Sequence, residues 1–144
     1  MQYQNLREAV YFAPRGKERL LQLGNYLGQR YLDPGDRLVG FIGPSGVGKS
    51  LLIRGMFPGL ELTNDDENVN VRPLPLVRDI RAGSFRCHTY HVDVCFEMAF
   101  VPLSELAVAV KEAVLVGRRV VVEHFDTMAP ILPMNAELLV GVGE

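Results

Sequence analysis

Apolar residues recur along the chain in two spacings, one typical of amphipathic helices and one typical of buried strands. From Lys17 to Tyr31 they return every three or four positions, which predicts a helix. The apolar run from Arg37 to Gly43 predicts a buried strand, and Ser50 to Phe57 predicts a helix that Pro58 cannot continue. The DPGD sequence at Asp33–Asp36 predicts a turn between the first helix and this strand, because Pro and Gly fix the backbone.

The second half of the chain carries further strand patterns and one long helix pattern. A helix is predicted from Glu105 to Val116, with Ser104 as its N-cap and Gly117 at its end. Runs of β-branched and aromatic residues predict strands at 85–96, 118–125 and 136–143, in addition to a short strand at 9–13. Strands that alternate with helices predict an α/β fold with a central, largely buried sheet.

The segment 61–79 has a different composition from its surroundings. Its Asn and Asp residues and two prolines predict a loop that is mobile around Asp65–Asn70. Four arginines on or beside this loop are assigned to a solvated face, in preference to contacts with a phosphate or a tRNA backbone. They are Arg72, Arg78, Arg81 and Arg86.

Length, composition and charge are those of an ordinary globular protein. The 144 residues fit a single domain spanning 1–144, and a net charge of −2 gives no reason to expect a polyanion partner. The sequence has no apolar run of about 18 residues, its N-terminus lacks the layout of a signal peptide, and two cysteines suggest free thiols. We therefore expect a cytoplasmic protein without membrane contact. Because the last strand pattern runs to the end of the sequence, a domain cut from a longer chain is also plausible.

The sequence GPSGVGKS, from Gly43 to Ser50, matches the phosphate-binding loop pattern G-x-x-x-x-G-K-[ST]. Its glycines let backbone N–H groups approach phosphate oxygens, and the N-terminus of the following helix adds positive partial charge. Lys49 is expected to reach the β- and γ-phosphates and the Ser50 hydroxyl to hold Mg²⁺. The predicted nucleotide contacts are Gly43, Ser45, Gly46, Val47, Gly48, Lys49, Ser50 and Leu51.

Two acidic residues in strand patterns are the candidates for chemistry at the γ-phosphate. Glu123 ends the apolar run VVVE, where it could help hold magnesium or orient the attacking water, and Asp126 is its rival. Asp93 lies between valines in HVDVCF, and a carboxylate there is costly to bury unless it is paired or bound to a metal. Asp93 and Glu123 are therefore candidates for the site, and the alternatives are a structural partner to an arginine for Asp93 and a surface acid for Glu123.

The sequence CHTYHVDVC raises a second metal hypothesis, because Cys87, His91 and Cys95 would share one face of a strand. Successive members lie about 13 Å apart in an extended strand at roughly 3.3 Å per residue. Zinc needs all its ligands within about 2.0–2.3 Å, so one straight strand cannot supply all three. We therefore favour a packing role for His91 and the two cysteines.

The order of these motifs resembles the TsaE (YjeE) ATPases of tRNA threonylcarbamoyladenosine synthesis. The similar features are a PGD turn before the phosphate loop, an L-x-R-G sequence after it, the YHVD strand, the VVVE strand end and a late ILP sequence. The resemblance covers roughly residues 11–144. It implies a three-layer P-loop domain with a mixed, partly antiparallel sheet and slow Mg-dependent ATP hydrolysis. It also implies that Lys49 contacts phosphate, that Asp93 and Glu123 are catalytic residues, and that both acids and Ser50 are magnesium ligands.

The chain also departs from that family at particular positions. Residues 70–77, NVRPLPLV, stand where the family has a threonine-bearing switch, and His124 stands where it has tryptophan. His124 could stack on the nucleotide or gate a proton. The function predicted is an ATP- or ADP-binding Mg-dependent hydrolase or switch with a protein partner or additional domain and an indirect link to tRNA. The alternatives are a non-catalytic nucleotide-sensing domain and a small-molecule kinase.

Overall fold

A computed structural model describes residues 7–12, 16–44, 48–60 and 74–143. The strands are β1 (Arg7–Phe12), β2 (Leu38–Ile42), β3 (Thr89–Asp93), β4 (Arg119–Glu123) and β5 (Leu138–Gly143). The helices are α1 (Lys17–Tyr31), α2 (Lys49–Met56), α3 (Pro75–Ala82), α4 (Val94–Glu97), α5 (Leu103–Leu115) and α6 (Phe125–Met128), followed by a 3₁₀ turn at Ala129–Ile131. The predicted α/β class is confirmed. No helix in these described ranges is long and apolar enough to cross a membrane.

The sheet has the strand order β1-β5-β2-β4-β3, and all four strand pairings in it are parallel. The predicted mixed, partly antiparallel sheet is therefore wrong. Parallel neighbours require a crossover that returns the chain to the starting edge, and a helical segment stands between each strand and the next. All the strands consequently end at the same edge of the sheet.

Apolar side chains fill both faces of the sheet, so the domain has three layers. On one face α1 and α2 pack against β2, β4 and β5, through residues such as Leu27, Leu52, Phe41, Val121 and Val140. On the other face α3 and α5 pack against β2, β3 and β4, through residues such as Leu76, Val110, Leu38, Val92 and Val122. The strands read as continuous apolar runs because both of their faces are buried.

The predicted turn at Asp33–Asp36 is confirmed and is held by a residue that the sequence patterns did not single out. The Asp36 N–H donates to the Asp33 carbonyl at 3.0 Å, and the Asp36 carboxylate accepts from the Asp33 N–H at 2.9 Å. The buried Arg119 guanidinium, at the start of β4, donates to the carbonyls of Asp33, Pro34 and Asp36. This clamp holds the turn before β2 against the start of β4.

The loop prediction for 61–79 is wrong where α3 forms. Pro75 stands at the first helical position, where a missing N–H costs nothing and the fixed φ suits a helix. Leu76 and Val77 are buried, and Gly83 ends the helix in a left-handed conformation. Residues 61–73, including the predicted mobile stretch and Arg72, lie outside the described residues.

A buried carboxylate joins α3 to β3. Asp79 is fully buried and accepts hydrogen bonds from the Tyr90 hydroxyl at 2.6 Å, the Arg78 guanidinium at 3.0 Å and the Arg86 N–H at 3.1 Å. Burial by itself raises the pKa of Asp79, but these hydrogen bonds outweigh it and hold the pKa below the ordinary value of 3.8. Asp79 is therefore stabilised as a carboxylate in the folded protein.

Acidification should weaken this contribution to stability. Because the folded-state pKa of Asp79 lies below its unfolded value, the stability it provides is present above pH 3.8 and is lost as the pH falls further. We expect Asp79→Asn to be less stable than wild type at neutral pH, by about 1–3 kcal/mol. The difference, measured by urea denaturation, should shrink as the pH falls below 3.8. Exposed Asp126→Asn is the control, and a difference for Asp79→Asn that stays constant with pH would contradict the assignment.

Two glycines let α1 and α2 approach closely. A Cβ on Gly24 would overlap the Leu52 carbonyl oxygen, and a Cβ on Gly55 would overlap the Leu21 carbonyl oxygen. These overlaps involve backbone atoms, which cannot move aside without shifting a helix. The contact holds α2, the helix that follows the phosphate-loop sequence, closely against α1.

Gly24→Ala and Gly55→Ala should each destabilise the protein. Replacing glycine by alanine in a helix stabilises it by about 1 kcal/mol, whereas overpacking typically costs about 1–3 kcal/mol. Because the overlap here is with backbone atoms, we expect the net effect to be destabilising. Gly35→Ala is the matched control, because its Cβ would meet no atom within 4 Å. Thermal and urea unfolding of the three variants tests this, and a more stable Gly24→Ala would show that the helices separate freely.

Candidate functional site

The candidate site lies at the edge where the parallel strands end. The phosphate-loop sequence follows β2, Asp93 ends β3 and Glu123 ends β4. In the sheet register Glu123 stands beside Asp93 on one side and beside Phe41 of β2 on the other. The sheet therefore brings the two predicted acids to neighbouring strand ends, next to the strand that leads into the loop.

The chain leaves β2 and β4 on opposite sides of the sheet. After β2 it enters α2, which packs on the face covered by α1, whereas after β4 it enters α6, whose Phe125 and Met128 belong to the core on the other face. In parallel α/β sheets such a divergence opens a crevice at the strand ends, and ligands bind there. This rule puts the expected ligand crevice between the ends of β2 and β4, next to Glu123.

Lys49 begins α2 and is 4% exposed. Its ammonium donates to the Gly43 carbonyl at 2.8 Å and to the Pro44 carbonyl at 2.6 Å. Burial lowers the pKa of Lys49, while the negative charges of Glu123 and Asp93 oppose that shift. The charges of both acids therefore favour the protonated form of Lys49, although burial has the larger effect on its pKa.

The described part of the phosphate loop has the backbone expected of its glycines. Gly43 has a φ of 146°, and a Cβ there would overlap the Val142 carbonyl oxygen at the end of β5. Gly48 is the left-handed residue before α2, with a φ of 91°. Ser50 and Leu51 lie in the first turn of α2. Ser45, Gly46 and Val47 lie outside the described residues, so their predicted contacts stay predictions.

Asp93 has a structural role that the sequence did not indicate. The predicted strand 85–96 stops at Asp93, whose carboxylate accepts a hydrogen bond from the Phe96 N–H at 3.1 Å and so caps α4. Cys95 consequently lies in α4 and Cys87 before β3, and both thiols are free. Among the described residues, no set of three or more His, Cys, Asp or Glu side chains could hold a metal ion.

His91 is the residue of this site that sequence reasoning missed. Its Nε2 lies 2.7 Å from a Glu123 carboxylate oxygen, and the two side chains are 0% and 4% exposed. The packing role predicted for His91 is therefore incomplete. Strand alternation already placed His91 and Asp93 on one face, but only the parallel pairing of β3 with β4 brings Glu123 to that face.

His124, which follows Glu123, forms a second cross-strand pair. Its Nε2 lies 4.0 Å from an Asp93 carboxylate oxygen. It is the one non-glycine residue with a positive φ in the described part of the chain, at 57°. Such conformations are uncommon outside glycine and cluster at functional sites. This backbone turn directs the chain from β4 into α6.

Asp126 and two of the arginines near the predicted loop are weaker candidates for the site than Glu123 is. Asp126 is exposed in the first turn of α6, and its influence on the pKa of Lys49 is smaller than that of Glu123. Arg78 pairs with Asp79, and Arg81 pairs with Glu105 at 2.9 Å. Both arginines belong to α3, on the sheet face opposite α2.

The acid pair fits what magnesium requires in a nucleotide site. Mg²⁺ is usually bound by one or two carboxylates together with water and substrate phosphates, so no protein cage of several ligands is needed. Asp93 and Glu123 at adjacent strand ends, with Ser50 in the first turn of α2, offer oxygen ligands of this type.

Comparison of the chain with protein-family models, curated proteins and solved structures found no match. The function of this chain is therefore argued from the GPSGVGKS sequence and from the residues that end the neighbouring strands, Asp93 and Glu123.

Substitution of Asp93 should separate its structural role from its charge. Asp93→Ala removes the cap of α4 and should destabilise the protein by about 0.5–2 kcal/mol, whereas Asp93→Asn keeps an oxygen that can accept from Phe96 and should be close to neutral. Urea unfolding of both variants measures this difference. Equal stability of the two variants would show that the cap contributes little.

Proposed function

We propose that the protein binds Mg-ATP at the carboxyl edge of its sheet and hydrolyses it, acting as a slow ATPase or nucleotide switch. The observation that carries this proposal is that the glycine-rich sequence and buried Lys49 follow β2, while Glu123 and Asp93 end the next two strands of the sheet. A lysine at the start of a helix after a glycine-rich loop binds phosphate, and neighbouring carboxylates can hold magnesium and orient water. ATP and ADP are the proposed ligands.

In this proposal each residue has a distinct role. Lys49 would exchange its present carbonyl partners, Gly43 and Pro44, for phosphate oxygens, which are stronger acceptors because they are charged. Ser50, Asp93 and Glu123 would hold the magnesium ion, which neutralises charge on the β- and γ-phosphates when bound. Glu123 would also orient the attacking water and accept its proton.

A P-loop NTPase fold and a TsaE-like process remain part of the proposal. The phosphate-loop sequence between β2 and α2 supports the first. The motif order supports the second, although the all-parallel sheet departs from the partly antiparallel sheet that the resemblance implies. A protein partner or additional domain, and an indirect link to tRNA, stay predictions.

The alternatives differ in what they require of the chain. A small-molecule kinase needs a lid over its acceptor, and α3 does not supply one, because its Leu76 and Val77 are packed into the core. A nucleotide-sensing domain needs only Lys49 and the loop. It would bind nucleotide without turnover.

Binding and hydrolysis measured on the same variants test the proposal. Lys49→Ala should weaken Mg-ATP binding by roughly 10- to 100-fold, since a charge-assisted hydrogen bond contributes about 1.5–3 kcal/mol. Glu123→Gln and Asp93→Asn should each retain binding and lower phosphate release, by at least about 100-fold for Glu123→Gln. Calorimetry and a phosphate-release assay give the two readouts.

Asp126→Asn is the matched control, because it removes the exposed rival acid and should change turnover by less than about twofold. Phosphate release that survives both Asp93→Asn and Glu123→Gln would refute hydrolysis at this site. Tight binding without turnover by the wild-type chain would favour the sensing alternative, and ADP release only with an added acceptor would favour the kinase.

A further inference from the structure

The hydrogen bond between His91 and Glu123 is buried and joins two strands. His91 lies in β3 and pairs in register with Val121, two residues before Glu123 in β4. Because Val121 belongs to the core beneath α1 and α2, the imidazole and the carboxylate meet on the face that α2 covers. Their N–O distance of 2.7 Å is that of a strong, charge-assisted hydrogen bond.

The other ring nitrogen of His91, Nδ1, is buried and makes no hydrogen bond with any residue in the described part of the chain. Leaving a buried polar atom unsatisfied is unfavourable, so an apolar side chain would fill this position in the sheet at lower cost. The benefit of histidine here therefore comes through Nε2, which donates to Glu123 when the ring carries its proton there.

The hydrogen bond from His91 to one oxygen of Glu123 restricts the orientation of the whole carboxylate. Glutamate has several side-chain torsions, and its two oxygens exchange freely when neither is bound. A hydrogen bond to one oxygen from a ring fixed in a buried strand limits both the rotamer and the plane of the carboxylate. The second oxygen then keeps one orientation at the end of β4, whose neighbouring strands there are β2 and β3.

We propose that His91 is a positioning residue, which holds Glu123 in the orientation that the reaction requires. This inference rests on the proposed hydrolysis and adds to it a residue outside the phosphate-loop sequence. His91 acts through Glu123 and needs no contact with nucleotide. A purely structural His91 would instead affect stability and leave the turnover of folded protein unchanged.

Three substitutions of His91 distinguish these roles. His91→Gln keeps an N–H donor at nearly the reach of Nε2, His91→Asn has its N–H too short to reach Glu123, and His91→Leu removes the donor. We expect Asn and Leu to lower kcat by about 10- to 100-fold, the usual effect of losing a group that orients a functional side chain, with KM and the dissociation constant for ADP nearly unchanged. His91→Gln should retain most of the wild-type kcat.

His88→Gln is the matched control, because His88 is exposed and its ring lies beside Thr89, outside the site. If His91→Leu does not fold, the Gln and Asn variants decide alone, since both are polar and differ mainly in reach. Equal kcat for these two, or loss of kcat that follows loss of thermal stability in all variants, would overturn the positioning role.

Nitrogen NMR of the ligand-free protein gives a readout independent of turnover. The imidazole of His91 should show the proton on Nε2, and Glu123→Leu should change its signal while leaving that of His88 in place. A neutral ring with its proton on Nδ1 alone, which leaves Nε2 without a hydrogen to donate, would overturn the inference. Wild-type protein that shows the Nε2 proton but releases no phosphate would remove the proposed function and the positioning role with it. Turnover that is insensitive to His91 would remove the positioning role alone.

Discussion

The parallel direction of the strands is the constraint on which the rest of the structure depends. In a parallel sheet all carboxyl ends meet at one edge, so the loop after β2 and the residues that end β3 and β4 become neighbours. Asp93 and Glu123 are 30 positions apart in sequence (123 − 93 = 30), yet the register places them side by side. An antiparallel β3 or β4 would have put one of them at the opposite edge.

Polar groups at this edge are buried because they compensate one another. Taking a charged group out of water is costly unless an opposite charge or a hydrogen bond replaces the lost hydration. Lys49 has two carbonyl partners and two acids nearby, and Glu123 has His91. Hydrogen bonds and opposite charges within the protein therefore offset part of the cost of burying Lys49 and Glu123.

The remaining buried polar residues hold the frame around this edge. Arg119 fastens the turn before β2 to the start of β4, and Asp79 fastens α3 to β3 through Tyr90. Both act at a distance from the phosphate loop. Their role is to fix the strands whose ends carry the site, so that strand register and site geometry are determined together.

The sequence by itself determined several local elements. The helix at 17–31 and the DPGD turn depend on neighbouring residues, and each lies where the pattern predicted. Helix α3 was missed because Asn, Asp and Pro obscured a short amphipathic stretch that begins at Pro75. Only the tertiary structure decided the direction of the strands, the end of β3 at Asp93 and the contact of His91 with Glu123. These depend on which strands pair, and pairing joins residues far apart in the chain whose local patterns are the same in either direction.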